Sequence, residues 1–279
     1  MQEKIHMMLG HVNVHNHEVI RIHDYMAPSD GLLVHSVIVE GPNSLVLFDA
    51  QFLLSYAKDL ADYIQRLRKP LARIIISHVH PDHWSGLAVV APRFPAAKIA
   101  ALPKVRDYIA LNGQEIMDAR RNVFGDAVAS QAVIPEEIIE PGEHVIDGVH
   151  YQFEAHDEGE SQYQLVAILP NQRTLLAFDL VFPRHVHAFT VAPYFSHWTK
   201  ILRQLESYDF DAILVGHSRP ASREDIGATI EYLEIAKEIH AQTTSPEDYA
   251  AKLKKHFPDR GEAGWIDFAS LMLYGVINP

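Results

Sequence analysis

Three histidines and an aspartate crowd into the stretch "HVHPDH", directly after the apolar run "RIIIS". His78 and His80 are two positions apart, so in an extended loop their side chains point the same way. The intervening proline turns the chain, and Asp82 and His83 follow on that turn. Imidazole suits zinc, iron and manganese, and a carboxylate can bridge two such ions. The stretch therefore predicts a loop that offers ligands to two adjacent cations.

Other apolar runs also deliver a ligand-type side chain where they end. These residues are Asp49 in "VLFDA", His156 in "FEAHDEGES", Asp179 in "LLAFDLV" and His217 in "ILVGHSRP". In open α/β sheets, sites form where strands release side chains into a crevice. The recurrence predicts that these residues and the histidine-rich loop belong to one site.

The patterns around these positions predict alternating strands and helices. The runs "GLLVHSVIVEG" and "SLVLFDA" predict a hairpin, and "RIIISH" predicts a buried strand. Further hairpins are predicted around Asp147-Gly148 and around the "NQ" before "RTLLAFDLVF". Helical spacing marks residues 53–68, residues 103–130 and the chain from residue 222 onward. We expect the second of these helices to be broken at Gly113 and Gly125.

The composition limits the classes of function that the chain can have. The net charge is −12 and the sequence pI is about 5.8, which argues against a nucleic-acid-binding protein. The absence of cysteine excludes disulfides, thiolate nucleophiles and thiolate metal ligands. We find neither a signal peptide nor an apolar run of membrane-spanning length. The sequence therefore predicts a cytoplasmic protein that acts on a small molecule, with no nucleic-acid or membrane partner.

Taken together, these motifs resemble those of the metallo-β-lactamase fold superfamily. Its H-x-H-x-D-H signature is matched in full by the histidine-rich loop, and "HDEGES", the strand-end aspartate and the "GH" pair follow in order. The resemblance covers roughly residues 31–219. It implies an α/β fold, a four-layer αββα sandwich with the metals at one edge. We expect a single domain over residues 1–279, with residues 222–279 as a helical C-terminal extension.

The resemblance also implies a binuclear metal site. His78, His80 and His156 would bind the first ion, Asp82, His83 and His217 would bind the second, and Asp179 would bridge both. Asp49 and Ser77 would orient the loop through hydrogen bonds. The cofactors would be two divalent metal ions, with zinc expected and iron or manganese as alternatives.

A second histidine-rich segment, "PRHVHAFTVAPYFSHW", follows Asp179. In the superfamily this part of the chain usually borders the substrate pocket, which makes His185, His187, Tyr194 and His197 candidate pocket residues. His185 and His187 are the candidates for an acid or a substrate hydrogen-bond donor. The alternative is a surface loop whose aromatic side chains pack on the core. The N-terminal histidines, His6, His11, His15, His17 and His23, have no partner spacing and are expected to be surface or core residues.

The leading functional hypothesis is a zinc-dependent hydrolase. A metal-bound hydroxide would attack an ester, lactone, thioester or amide-like bond, while Asp82 orients the nucleophile and carries the proton to the leaving group. A β-lactamase is disfavoured because no signal peptide is found, and Phe182 stands where lactonases often have tyrosine. The alternatives are an iron-dependent oxygenase, such as a sulfur dioxygenase, and a metal-binding protein without turnover. The C-terminal helices could cover the sheet, cap the pocket or form a homodimer contact.

Overall fold

The computed structural model describes residues 8–277, which form two β-sheets and seven α-helices. The chain divides into two compact units. The first unit contains residues 1–140 and 145–149, and the second contains residues 141–144 and 150–279. Among the described helices, none has the length and apolar content needed to cross a bilayer.

The first unit is built on a seven-stranded sheet whose strands lie in chain order. The strands are β1 (His11–Asn16), β2 (Arg21–Met26), β3 (His35–Glu40), β4 (Leu45–Phe48), β5 (Leu71–Ile76), β6 (Lys98–Ala101) and β7 (Glu137–Ile138). Strands β1 to β4 pair antiparallel, and β4 to β7 pair parallel. The helices of this unit are α1 (Leu54–Arg66), α2 (Leu87–Arg93) and α3 (Pro103–Phe124).

A five-stranded sheet forms the centre of the second unit, in the order β12-β11-β10-β9-β8. The strands are β8 (Gly142–Ile146), β9 (Val149–Asp157), β10 (Tyr163–Leu169), β11 (Thr174–Phe178) and β12 (Ala212–Val215). Strands β9, β10 and β11 pair antiparallel in turn, and β11 and β12 pair parallel. The helices are α4 (Phe195–Glu206), α5 (Glu224–His240), α6 (Pro246–His256) and α7 (Ala263–Leu273).

The expected α/β fold with C-terminal helices is confirmed, and so are the predicted hairpins β3–β4 and β10–β11. The break predicted at Gly113 is wrong, because α3 runs through it and ends only at Gly125. A Cβ on Gly113 would lie 3.1 Å from the Ala132 side chain and 3.2 Å from that of Ile109. Close packing therefore outweighs the helix cost of glycine, which is about 1 kcal/mol relative to alanine. The single domain over residues 1–279 stays a prediction.

Parallel pairing of β4 with β5 fixes the start of the histidine-rich loop. Three consecutive isoleucines, Ile74 to Ile76, are completely buried in β5. Phe48 is in register with Ile75, so Asp49 and Ser77 leave their strands side by side. The Asp49 amide also donates to the carbonyl of Ile75 over 3.0 Å.

Gly86 makes possible the close packing of the chain after this loop. Its amide donates to the carbonyl of Gln51 over 2.8 Å. A Cβ at this position would lie 2.0 Å from the carbonyl oxygen of Ala50 and 2.7 Å from the Ala57 side chain. Backbone cannot move aside as a flexible side chain can, so residue 86 must be glycine.

We expect the Gly86→Ala variant to lose about 1–3 kcal/mol of unfolding free energy, because the added methyl group overpacks the turn. Urea denaturation followed by circular dichroism measures the loss. Gly264→Ala is the matched control: nothing lies within 4 Å of a Cβ there, and alanine favours the helix. Equal urea midpoints for Gly86→Ala and the wild type would contradict this account.

Candidate functional site

The carboxylate of Asp49 organises the histidine-rich loop in the first unit. Its Oδ1 accepts a hydrogen bond from the Ser77 amide over 2.8 Å, and its Oδ2 accepts one from the Ser77 hydroxyl over 2.7 Å. His83 Nδ1 also donates to Oδ2, over 2.8 Å. Burial raises the pKa of Asp49, and the bonds from His83 and Ser77 act in the opposite direction. Asp49 and Ser77 thus have the contacts that their predicted orienting role requires.

These bonds select which ring nitrogen of two histidines can bind a metal. The Ser77 hydroxyl donates to Asp49, so it accepts from His78 Nδ1, which lies 2.8 Å away. His83 Nδ1 is likewise the donor to Asp49. In both rings the proton is on Nδ1, and the lone pair for a metal ion is therefore on Nε2. The two rings are 4.2 Å apart between centroids and both are completely buried.

His80 and Asp82 complete the loop beside these rings. The ring centroids of His78 and His80 are 5.0 Å apart, and their ligand nitrogens lie within 4.8 Å of each other. Asp82 Oδ2 is 3.6 Å from His83 Nε2. Trp84 donates from its indole nitrogen to the Val79 carbonyl over 3.0 Å, so it is a packing residue of the loop.

Arg120, on α3, is a charged group near the loop that the sequence analysis did not single out. Burial lowers the pKa of Arg120, and the charge of Asp82 acts in the opposite direction. Thirty-eight positions separate it from Asp82 in the chain, so no local motif could have indicated the interaction.

In the second unit, Asp179 and His217 come together at the ends of neighbouring strands. Phe178 is in register with Val215 across the parallel β11–β12 pair, so the residues that follow both strands emerge on the same edge. Asp179 Oδ2 and His217 Nε2 are 3.1 Å apart, and both side chains are buried. An aspartate and a histidine predicted to bind metal are therefore in direct contact.

His156 occupies a different environment from the other predicted ligands. It pairs with Gln164 within the β9–β10 ladder, and its Nε2 is 3.1 Å from Glu154 Oε2. The Tyr208 hydroxyl also donates to Glu154, over 3.0 Å. The assignment of His156 as a ligand stays a prediction. Its ring contacts the carboxylate of Glu154, which also accepts a hydrogen bond from Tyr208.

Glu160 is a candidate ligand that the sequence analysis missed. It lies in the turn between β9 and β10 and is 1% exposed. A carboxylate oxygen of Glu160 and one of Asp179 lie within 4.8 Å of each other. The turn is held close to this strand end, since a Cβ on Gly159 would lie 2.8 Å from the Leu180 side chain. The available signal was the acidic stretch "HDEGES" itself, in which Glu160 follows three positions after the end of β9.

The predicted pocket residues are distributed over two environments in the second unit. His187 is buried against the Tyr232 hydroxyl, 3.1 Å from Nδ1, and burial lowers the pKa of His187 to about 4. His187 is therefore neutral at pH 7 and part of the core. His185 Nε2 lies 2.9 Å from the hydroxyl of Ser218, the residue after His217.

Tyr194 and His197 lie near the turn that contains Glu160. His197 is exposed and pairs with Glu158. Burial raises the pKa of Tyr194, and the charge of Glu158 raises it further. Their membership of a substrate pocket stays a prediction.

Among the N-terminal histidines, His23 is a core residue. Its two ring nitrogens contact the Tyr63 hydroxyl at 2.7 Å and Glu40 at 2.9 Å. His6 lies outside the residues that the structure describes.

The donor set has the chemistry that divalent metal ions require. Each unit presents buried imidazole and carboxylate groups at the ends of parallel strands, and the tautomers of His78 and His83 are fixed by their neighbours. Nitrogen and oxygen donors of this kind suit zinc and related ions. The residues present therefore fit a metal site.

Comparison with known proteins places these features in a family. The model of the metallo-beta-lactamase superfamily matches residues 29–217, more than half of the chain. A curated linear primary-alkylsulfatase from Pseudomonas sp is 26% identical over an alignment of 204 positions that covers 58% of this chain and 30% of that protein. The chain spans about a third of the length of the curated relatives it matches.

Solved structures share the fold. A stereoselective inverting sec-alkylsulfatase from Pseudomonas sp. aligns with a TM-score of 0.64 and 19% identity, over 91% of this chain and 49% of that one. A metallo-beta-lactamase from Pontibacter korlensis aligns with a TM-score of 0.63 and 16% identity, over 80% and 99% of the two chains. With the family model matched over residues 29–217, the chain belongs to the metallo-beta-lactamase superfamily.

Proposed function

We propose that this protein is a metal-dependent hydrolase with a binuclear centre that cleaves an ester-type bond of a small molecule. The observation that carries the proposal is the pair of short contacts from the Nδ1 atoms of His78 and His83 to Ser77 and Asp49, which indicate the same tautomer in both rings. Structural packing alone does not require two adjacent buried imidazoles to have the same tautomer. With both Nδ1 atoms engaged by Ser77 and Asp49, both Nε2 lone pairs are left for metal ions.

The ligand set that we propose differs from the predicted set at one position. Glu160 takes the place of His156, because it is fully buried beside Asp179 whereas His156 is bonded to Glu154. The seven proposed ligands are His78, His80 and Glu160 for the first ion, Asp82, His83 and His217 for the second, and Asp179 for both. Zinc is the expected metal.

The side chains would divide the work of hydrolysis. Two bound divalent cations would supply Lewis acidity and a water molecule of lowered pKa. Asp82, whose side chain is 15% exposed, would accept a hydrogen bond from the nucleophilic water molecule and pass the proton to the leaving oxygen. Asp49 and Ser77 keep the imidazoles aligned during the reaction.

Organic sulfate esters are the substrate class that we propose first. The relatives named above include two alkylsulfatases. The chain itself is strongly acidic, so an anionic ester needs local positive charge to approach the site. The metal ions and Arg120 would supply it. Carboxylic esters, lactones and thioesters, which would undergo the same attack on a polarised centre, are the other candidate substrates.

The first experiment identifies the metal and the reaction together. Protein purified without chelator is analysed for metals and assayed on sulfate ester, carboxylic ester, lactone, thioester, phosphoester and β-lactam substrates, with oxygen uptake recorded. We expect zinc, and turnover of a sulfate ester that chelation abolishes and zinc restores. His80→Ala should lower metal content and reduce turnover by more than about 100-fold, since even outer partners of a metal site contribute about 10–100-fold.

His256→Ala is the control, because His256 is exposed on α6. Bound iron together with substrate-dependent oxygen uptake would instead support the oxygenase. Bound metal without turnover on any substrate would support the third hypothesis, a metal-binding protein without catalytic activity.

The choice between Glu160 and His156 can be tested directly. We expect Glu160→Gln to lose about one metal ion per chain, because an amide replaces an anionic ligand. His156→Gln should keep both ions. Metal analysis after gel filtration measures the stoichiometry, and thermal melting verifies that both variants are folded. The reverse pattern would restore the assignment of His156.

We expect Asp49→Asn to weaken metal binding about 10–100-fold, because the amide cannot accept from Ser77 and His83 together as the carboxylate does. Competition with a chromogenic chelator measures the affinity. Asp107→Asn, at a side chain that is 68% exposed, controls for the change of charge. Wild-type affinity in Asp49→Asn would show that this carboxylate does not orient the ligands.

A further inference from the structure

The imidazole of His217 is enclosed by three aromatic rings from two segments of the second unit, the stretch that follows β11 and helix α7. The Phe182 ring stacks nearly parallel to it, at 12° and with centroids 6.0 Å apart. The rings of Phe189 and Trp265 each lie 5.4 Å from it, at 49° and 65°. His217 is 1% exposed. These three rings restrict the rotation of the imidazole about its side-chain bonds.

Trp265 is the most distant of these residues along the chain. It lies on α7, is 5% exposed, and stacks on Phe189 at 20° with centroids 4.8 Å apart. The family match ends at His217 itself. A helix outside the matched region therefore forms part of the surroundings of a proposed metal ligand.

Hydrogen bonds fix the start of α7 against the segment that follows β11. The Gly261 amide donates to the carbonyl of His185 over 2.7 Å, and the His187 amide donates to the carbonyl of Gly261 over 3.1 Å. The Arg260 guanidinium donates to the Val186 carbonyl over 2.9 Å. These bonds hold the start of α7 against the segment that follows β11, directly before the buried Trp265 and Ile266.

The apolar face of α7 is held as well. Ala269 and Met272 form a buried cluster with Val191, and Phe189 and Ile277 pack against it. Phe189 thus contacts both this cluster and the Trp265 ring. The position of the indole is therefore determined by the main chain at one end of the helix and by packing along its face.

We propose that Trp265 is a positioning residue for His217, and that α7 thereby completes the second metal site. This inference rests on the proposed function, because it takes His217 as a metal ligand. An imidazole that is free to rotate loses side-chain entropy when it binds a metal ion. One that aromatic rings already hold in place loses less, so its affinity for the ion is higher. The rings also keep water away from the imidazole, which strengthens its electrostatic contacts.

The test titrates full-length protein, stripped of metal, with Co²⁺ and follows the visible absorption bands of the bound ion. The wild type should bind two ions, and His217→Ala should lose the second. Trp265→Leu removes the flat ring but keeps a large apolar side chain, and we expect its affinity for the second ion to fall about tenfold. Trp265→Phe should restore wild-type affinity because it keeps an aromatic wall.

Phe268→Ala is the matched control on the same helix, since the Phe268 ring is 37% exposed, and its titration should equal that of the wild type. Thermal melting accompanies each titration, and Trp265→Met replaces Trp265→Leu if the latter does not fold. Wild-type binding of both ions by Trp265→Leu, or equal weakening of both ions, would overturn the inference. Binding of two ions by His217→Ala would instead overturn the proposed ligand set.

Discussion

Burial of the Asp49 carboxylate costs free energy of solvation, and the loop that surrounds it supplies hydrogen-bond donors that offset this cost. An isolated carboxylate in a protein interior costs several kcal/mol. Here the parallel register of β4 and β5 brings Asp49 next to Ser77, and the turn after Pro81 brings His83 within hydrogen-bonding distance. These hydrogen bonds have two effects, because the bonds that satisfy the carboxylate also fix the tautomers of the histidines. The orientation that the proposed metal site requires thus follows from the satisfaction of one buried charge.

The proposed ligands are held by two different kinds of contact. In the first unit, hydrogen bonds to Ser77 and Asp49 orient the imidazoles of His78 and His83. In the second unit, His217 is surrounded by aromatic rings. Hydrogen bonds set the tautomer of a ring, whereas packing sets its direction without selecting a nitrogen. The first kind of contact depends on protonation, and the second depends on shape.

Local sequence signals predicted the parts of the structure in which neighbours in the chain are neighbours in space. The loop that carries His78 and His80 is such a part, because ligand types follow directly on a buried strand. The β1–β2 hairpin was missed, because its edge strand β1 exposes most of its side chains and only Val12 and Val14 alternate with polar residues within it. Glu160 was missed because the shape of a turn, and not a spacing, brings it beside Asp179. The contact between Trp265 and His217 joins distant segments, and nothing in either segment alone indicates the other.

The hydrogen bond between the Gly261 amide and the carbonyl of His185 has a consequence for the order in which parts of the protein are made and fold. Chains emerge from the ribosome with the N-terminal part first, and contacts between distant segments form late. When synthesis has passed residue 217, every proposed metal ligand is already present in the nascent chain. The indole that encloses the last of them, and the glycine that anchors its helix, have not yet been made. A nascent chain at that stage has the donor atoms of the proposed second site but lacks the indole that encloses His217, so on the proposed role of Trp265 tight metal binding there would come late in biosynthesis.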